Sequence, residues 1–162
     1  MKSKRNLWIL FLALTLSTTW LSTSMAQTAL QTQYGPDGVE VDLVRAKIGG
    51  KVLSVVFAFR NTGSSSADVT YKIEDVHYID NTESKKYQVL KDEKGAWLAG
   101  PIDYSKKFIK NKWERYPTTH IYLSEGKKKI VWYKFPAPPE NVTKIQINLP
   151  EISPFDDVEI TR

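Results

Sequence analysis

Apolar and polar residues alternate along most of the chain after residue 38, with the two-residue period that is typical of β-strands. From Val39 to Leu43 the apolar residues occupy odd positions, and acidic residues stand between them. From Val44 to Ile48 the apolar residues occupy even positions instead. Because one strand face cannot hold both sets without an extra residue, the pattern predicts a β-bulge near Leu43–Val44.

Gly49-Gly50 predicts the turn of a tight hairpin, since glycine tolerates the positive φ of such turns. The strand that follows, Lys51–Arg60, is apolar on nearly both faces and is predicted to be central in its sheet. Residues 100–117, bounded by Pro101 and Pro117, are predicted to be irregular. Further strands are predicted at 68–80, 85–91, 118–123, 128–135 and 142–149, with a short one at 158–160.

The number and spacing of these segments predict an all-β protein. No segment longer than one turn shows the apolar repeat of an amphipathic helix. Seven to eight short strands separated by turn signals favour an antiparallel immunoglobulin-like β-sandwich over residues 39–162, with a barrel as the alternative. Residues 27–38 are polar and end in Gly-Pro-Asp-Gly, which predicts a flexible lead-in and a turn.

The first 26 residues have the three parts of a secretory signal peptide. A basic start is followed by an apolar segment from Leu7 to Leu21, and the small residues Ser24 and Ala26 suit signal peptidase. We therefore expect cleavage after Ala26 and export to the periplasm or beyond. The alternative is an uncleaved anchor, although the apolar segment is hydroxyl-rich and shorter than the roughly 20 residues that span a bilayer. No transmembrane segment is predicted after cleavage.

Net charge and the content of cysteine and histidine exclude several classes of function. Without the three basic residues of the leader, 20 basic and 18 acidic residues remain, a net charge of +2. Nucleic acid is therefore not expected as a partner, because its binders carry a larger clustered positive excess. The chain has no cysteine, which removes disulfides and thiol chemistry, and only two histidines. We predict neither a metal site nor a cofactor.

Four short motifs follow one another along the chain: Asn61-Thr62-Gly63, Leu123-Ser-Glu-Gly126, Trp132-Tyr-Lys-Phe135-Pro-Ala-Pro-Pro139, and Leu149-Pro150 before Pro154-Phe155. In this order the chain resembles small exported bacterial domains of unknown function with immunoglobulin-like sandwiches, an architecture that some mycobacterial secreted antigens share. The resemblance covers roughly residues 39–160. It implies the sandwich fold and a non-enzymatic role, and it supplies no catalytic motif and no ligand.

Cations and aromatic rings are interleaved between Tyr104 and Tyr122, which makes this stretch the candidate binding segment. Such a mixture can hold an anionic partner by charge while rings stack on it. The alternative is a solvated loop whose rings cap the sandwich. The candidate ligand-binding residues are Lys106, Lys107, Lys110, Lys112, Trp113, Arg115 and Tyr116.

We therefore expect a non-catalytic exported module that binds a protein or a cell-envelope component. The alternative is a module for carbohydrate or an anionic polymer that uses the Tyr104–Tyr122 segment, with Tyr104, Trp113 and Tyr116 as stacking platforms. The chain contains no Gly-x-Ser-x-Gly motif, and His77 and His120 are predicted to be packing residues in strands. Trp97 and Trp132 are predicted core residues, and Trp113 is predicted to be the most exposed tryptophan. The three lysines at 127–129 are predicted to protect a sheet edge.

Overall fold

The computed structural model describes residues 28–162, which form an all-β structure with antiparallel strand pairs. The signal peptide predicted for residues 1–26 lies outside the described residues. Two short 3-10 helices, Pro36–Gly38 and Ile73–Asp75, interrupt the strands. The strands are β1 (Gln31–Tyr34), β2 (Val39–Gly49), β3 (Val52–Asn61), β4 (Ala67–Lys72), β5 (His77–Asp80), β6 (Lys85–Gln88), β7 (Asp103–Ile109), β8 (Lys112–Leu123), β9 (Lys128–Pro136), β10 (Lys144–Asn148) and β11 (Phe155–Glu159).

The strands form three sheets arranged around one core. Sheet 1 has the order β1-β2-β3-β9, sheet 2 the order β11-β10-β5-β6, and sheet 3 the order β4-β8-β7. Sheets 2 and 3 both pack on one face of sheet 1: the Phe57 ring lies 5.3 Å from that of Phe155 in sheet 2, and the Tyr133 hydroxyl lies 2.8 Å from that of Tyr71 in sheet 3. This layered arrangement is consistent with a β-sandwich.

The hairpin of β2 and β3 confirms the predicted bulge and central strand. The register shifts between Leu43 and Arg45, where the apolar positions change parity along the sequence. β3 lies between β2 and β9, as its two apolar faces predict. The predicted turn is displaced by one residue: Gly49 pairs with Val52, so the turn is Gly50-Lys51, with φ +60° at Gly50. A glycine at the first central position meets that positive φ without strain.

Aromatic rings fill the core, in agreement with a chain that lacks disulfides. The largest fully buried side chains are Tyr78, Tyr133, Phe57, Phe59, Phe135 and Phe155. The prediction of Trp132 in the core is wrong, because its side chain points from the outer face of sheet 1 and is 45% exposed. Trp97 is half-buried and packs against the core. Trp113, exposed by 66%, is the most exposed of these three tryptophans, as predicted.

The described chain has eleven strands, more than the seven to eight predicted. The lead-in predicted to be flexible contains β1, which pairs with β2 from Gln31 to Tyr34. The single strand predicted at 68–80 is two strands, because the 3-10 turn Ile73–Asp75 carries the chain from sheet 3 into sheet 2. The third addition, β7, lies in the segment predicted to be irregular.

Candidate binding surface on the β7–β8 arm

Strands β7 and β8 form a two-stranded arm that extends beyond the rest of sheet 3. β7 pairs with β8 as far as Thr118, whereas β4 pairs only with residues from Thr118 to Leu123. Residues 104–117 are therefore paired only with each other. The turn Lys110-Asn111 has φ of 48° and 59°, the two positive values that a type I′ hairpin turn requires. The prediction of an irregular segment at 100–117 is wrong, since most of it is this hairpin.

One face of the arm combines three aromatic rings with two cations. Odd residues of β8 point towards the core, as buried Ile121 and Leu123 show, and the same parity continues along the arm beyond the core. We call this surface the inner arm face; its residues are Tyr104, Lys106, Phe108, Trp113 and Arg115.

The rings and cations of the inner arm face contact one another. The Phe108 and Trp113 rings lie 5.3 Å apart at an angle of 56°, and the Arg115 guanidinium lies 4.6 Å from the centre of the Tyr104 ring. Lys106, Trp113 and Arg115 line an open concavity of about 460 Å³. The three rings stay exposed by 54–66%. The surface is thus an apolar patch that is organised by its own contacts and remains available to a partner.

Charge on the inner arm face is not compensated within the arm. Lys106 stands directly opposite Arg115 in the ladder, and like charges in that position repel each other. On the other face Lys107 stands opposite Glu114, so cation and anion alternate there. The arm therefore presents positive charge beside aromatic rings on one face and a balanced surface on the other. An anionic group docked on the inner arm face would relieve the repulsion between Lys106 and Arg115.

The structure divides the residues predicted from sequence between three places. Lys106, Trp113 and Arg115 lie together on the inner arm face, and Lys110 lies in the turn. The other face of the arm holds Lys107, Lys112 and Tyr116. Tyr104, which was expected only as a stacking ring under the alternative function, and Phe108, which the candidate set omitted, complete the inner arm face. Two-residue alternation would have placed them there, had the segment been predicted as a hairpin.

A second exposed apolar patch lies on the outer face of sheet 1 and was missed from sequence. Ile130 and Trp132 of β9 are exposed by 54% and 45%, and Trp132 stands opposite Val56 of β3. Lys128 and Lys134 share this face of β9, and their parity is the signal that it faces solvent.

The two histidines lie in strands β5 and β8, as predicted, but the prediction that both are packing residues is wrong for His120. His120 is exposed, and its Nε2 atom lies 2.9 Å from Oδ2 of Asp68, a contact that lowers the pKa of the Asp68 carboxyl below its ordinary value. In His77 the Nδ1 atom contacts the backbone oxygen of Asp75 at 2.7 Å. Among residues 28–162 no three histidine or acidic side chains cluster closely enough to hold a metal ion.

Comparisons with protein-family models, with curated proteins and with solved structures gave no match. No helix in the described part of the chain is both long and apolar enough to span a bilayer.

Proposed function

We propose that the protein is a non-catalytic exported binding module: an immunoglobulin-like sandwich that contacts a protein or another envelope component through the inner arm face. The observation that carries the proposal is the combination of three exposed rings with an uncompensated Lys106–Arg115 pair on a projecting hairpin. A ribbon that protrudes from a packed scaffold reaches a partner without disturbing the core. The basic and apolar pattern of residues 1–26 supports export to an envelope compartment.

A protein partner fits the residue types best. Tryptophan, tyrosine and arginine are the side chains most enriched at the energetic centres of protein interfaces. Trp113, Tyr104 and Arg115 supply all three within one face, and the Arg115–Tyr104 contact holds two of them in place before binding. Preorganised side chains lose less conformational entropy on association. The partner surface should then offer a carboxylate or phosphate beside an apolar pocket.

Position-specific photocrosslinking in cells tests this proposal. A photoreactive phenylalanine analogue replacing Trp113 should form a discrete adduct with an envelope component, whereas the same analogue replacing Ile109, which is exposed on the other face of the arm, should not. The double variant Lys106→Glu with Arg115→Glu should reduce the affinity for the identified partner about tenfold or more, as loss of a central interface residue does.

The matched control is Lys107→Glu with Lys112→Glu, which changes the charge by the same amount on the opposite face of the arm. It should bind within about twofold of the unmodified protein, because exposed charges outside the contact surface contribute little to affinity. Equal adducts from positions 109 and 113, or equal losses in the two double variants, would contradict a role for the inner arm face.

The alternative function is recognition of a carbohydrate or an anionic polymer. The concavity beside Trp113 favours it, because an exposed ring flanked by two cations can stack on a sugar while the cations bind its acidic groups. Heparin and phosphatidylglycerol vesicles are suitable probes. Under this alternative, binding should weaken steeply with salt and disappear in Lys106→Glu with Arg115→Glu. Absence of binding to both probes, together with a protein adduct at Trp113, favours the first function.

Export has its own test. Expression of the full chain in a bacterium should yield a periplasmic or secreted product whose N-terminal residue is Gln27, because signal peptidase cleaves after small residues such as Ser24-x-Ala26. Placing a charged residue in the apolar segment, as in Leu14→Arg, should retain the uncleaved precursor. A mature product that keeps residues 1–26 and sediments with membranes would instead show an anchored protein.

A further inference from the structure

β9 is an edge strand of sheet 1. Along part of its length, the backbone groups on its outer side are not paired with any described strand. β9 pairs with β3 on one side only. On the other side, the oxygen of Lys134 accepts a hydrogen bond from the Leu90 amide at 3.0 Å. Since backbone groups alternate along a strand, those of Lys128, Ile130 and Trp132 also point away from β3. Within residues 28–162 no backbone group bonds them there.

The same stretch of β9 carries the exposed apolar patch. Ile130 and Trp132 project from the outer face beside half-buried Val56, and together with Arg45 and Lys134 they line a concavity of about 250 Å³. An exposed strand edge with apolar side chains is a template for an added strand: the backbone bonds supply affinity and the side-chain pockets supply specificity.

Charge around the patch indicates what kind of strand fits. Four cations surround it on the outer face of sheet 1: Arg45, Lys47, Lys128 and Lys134. None of these four has a carboxylate of the described chain within 4.0 Å of its charged group. Glu40 and Asp42 lie on the same face and share one cation, Arg60, at 2.8 and 2.7 Å, so one negative charge remains there against the four cations. The patch therefore complements negative charge.

A second copy of this chain is a poor occupant for the edge. Antiparallel pairing of two β9 strands about Val131 places Lys128 of one copy opposite Lys134 of the other, and Lys127 and Lys129 add further repulsion. Lysines on an edge strand prevent such self-pairing. They do not hinder a strand whose own side chains are acidic.

We propose that the free edge of β9 between Lys128 and Trp132 binds an extended segment of a partner protein, in which acidic residues flank apolar ones. The segment adds a strand to sheet 1 alongside residues 128–132 and places its apolar side chains beside Ile130 and Trp132. Its acids pair with Lys128 and with the side chain of Lys134, which lies just beyond the free edge. This site is separate from the inner arm face, and it does not depend on the function proposed for the arm.

The test uses a blocked peptide, Glu-Thr-Val-Thr-Val-Thr-Glu, and its charge-reversed form, Lys-Thr-Val-Thr-Val-Thr-Lys, titrated against the protein without its leader. We expect saturable binding of the acidic peptide and at least tenfold weaker binding of the basic one. N-methylation of the amides on the edge of the peptide that faces β9 should abolish binding, whereas methylation on the opposite edge should not. This second comparison leaves the protein unchanged.

Two proline variants locate the contact on the protein. Ile130→Pro removes an amide that points away from β3, and proline is tolerated on the open side of an edge strand, so the protein should fold and bind the acidic peptide about tenfold more weakly. Ile130→Ala separates this backbone effect from the loss of the side chain. Lys106→Glu with Arg115→Glu should leave peptide binding unchanged, which distinguishes this site from the arm.

Three results would overturn the proposal. Equal affinity for the acidic and basic peptides would show that the lysines beside β9 do not select an acidic segment. Full binding of the acidic peptide by Ile130→Pro would place the contact elsewhere. A dimer that forms at the concentrations used and dissociates in Ile130→Pro would show that a second copy of the chain occupies the edge.

Discussion

Replacing Phe57 with alanine is expected to lower the free energy of unfolding by about 3–5 kcal/mol, the usual cost of removing a buried aromatic ring. Phe57 is fully buried at the centre of β3, and its ring lies 5.3 Å from that of Phe155 and 6.3 Å from that of Tyr133. It therefore joins sheets 1 and 2 across the core. Because the total stability of a small domain is only about 5–15 kcal/mol, this single change should remove a large part of it.

Trp132→Ala is the control for this prediction. The tryptophan is the larger ring, yet it lies on the outer face of the neighbouring strand with 45% of its surface exposed. We expect a loss below about 1 kcal/mol, as for other surface substitutions. Urea unfolding followed by circular dichroism measures both variants. A Trp132→Ala loss as large as that of Phe57→Ala would mean that the outer face of sheet 1 is covered in solution.

The contrast between these two residues shows how sequence reasoning succeeded and failed along β9. The alternation of Val131, Tyr133 and Phe135 with Ile130 and Trp132 correctly predicts a strand. Both parities carry apolar residues, so hydrophobicity alone does not tell which side is buried. The large ring of Trp132 suggests that the even positions are buried, whereas the lysines that share its parity identify that side as the solvent-facing one. The position of a charge was the better guide, because a buried unpaired lysine is far more costly than an exposed ring.

Prolines and turn residues explain why the segment predicted to be irregular is a hairpin in the structure. Pro101 and Pro117 suggested an irregular segment, but proline is tolerated on a strand that lacks a neighbour on one side. Pro117 lies opposite Tyr104 where β8 leaves its pairing with β4. Lys110-Asn111 lacks the glycine that usually marks a type I′ turn, so the hairpin gave no strong signal. The candidate residues thus all lie on this one hairpin, while their division into two faces depended on a pairing that the sequence left open.

Sheet membership could not be predicted from the alternation pattern either. Residues 68–80 keep a regular apolar period through Val69, Tyr71 and Ile73, which predicts one strand. The chain instead turns at Ile73–Asp75 and enters a different sheet. Each part of the segment buries its apolar side chains against the same face of sheet 1. Alternation reports which side is buried, and it does not report which strand lies alongside.

The second large effect is expected in alkaline solution, because three buried tyrosines resist ionisation in the folded state. Burial raises the pKa of Tyr133 to about 12, and burial also raises the pKa values of Tyr71 and Tyr78. In the unfolded chain a tyrosine ionises near pH 10. Above that pH the unfolded state binds fewer protons than the folded state, so stability is complete below about pH 10 and falls as the pH rises towards 12.

Each of these tyrosines should reduce the free energy of unfolding by about 1.4 kcal/mol per pH unit within that window, which predicts cooperative alkaline unfolding accompanied by tyrosinate absorbance. Tyr71→Phe combined with Tyr133→Phe should make the decline shallower, because it removes two of the ionising hydroxyls. At neutral pH the same variant should be slightly less stable, since buried Thr119 loses the hydrogen bond of 3.1 Å that its Oγ1 atom accepts from the Tyr133 hydroxyl. Tyr34→Phe, at a ring exposed by 66%, is the matched control and should change neither. Ionisation of all eight tyrosines near pH 10 without unfolding would mean that water reaches the three buried hydroxyls, and would contradict a tightly packed core between sheet 1 and the other two sheets.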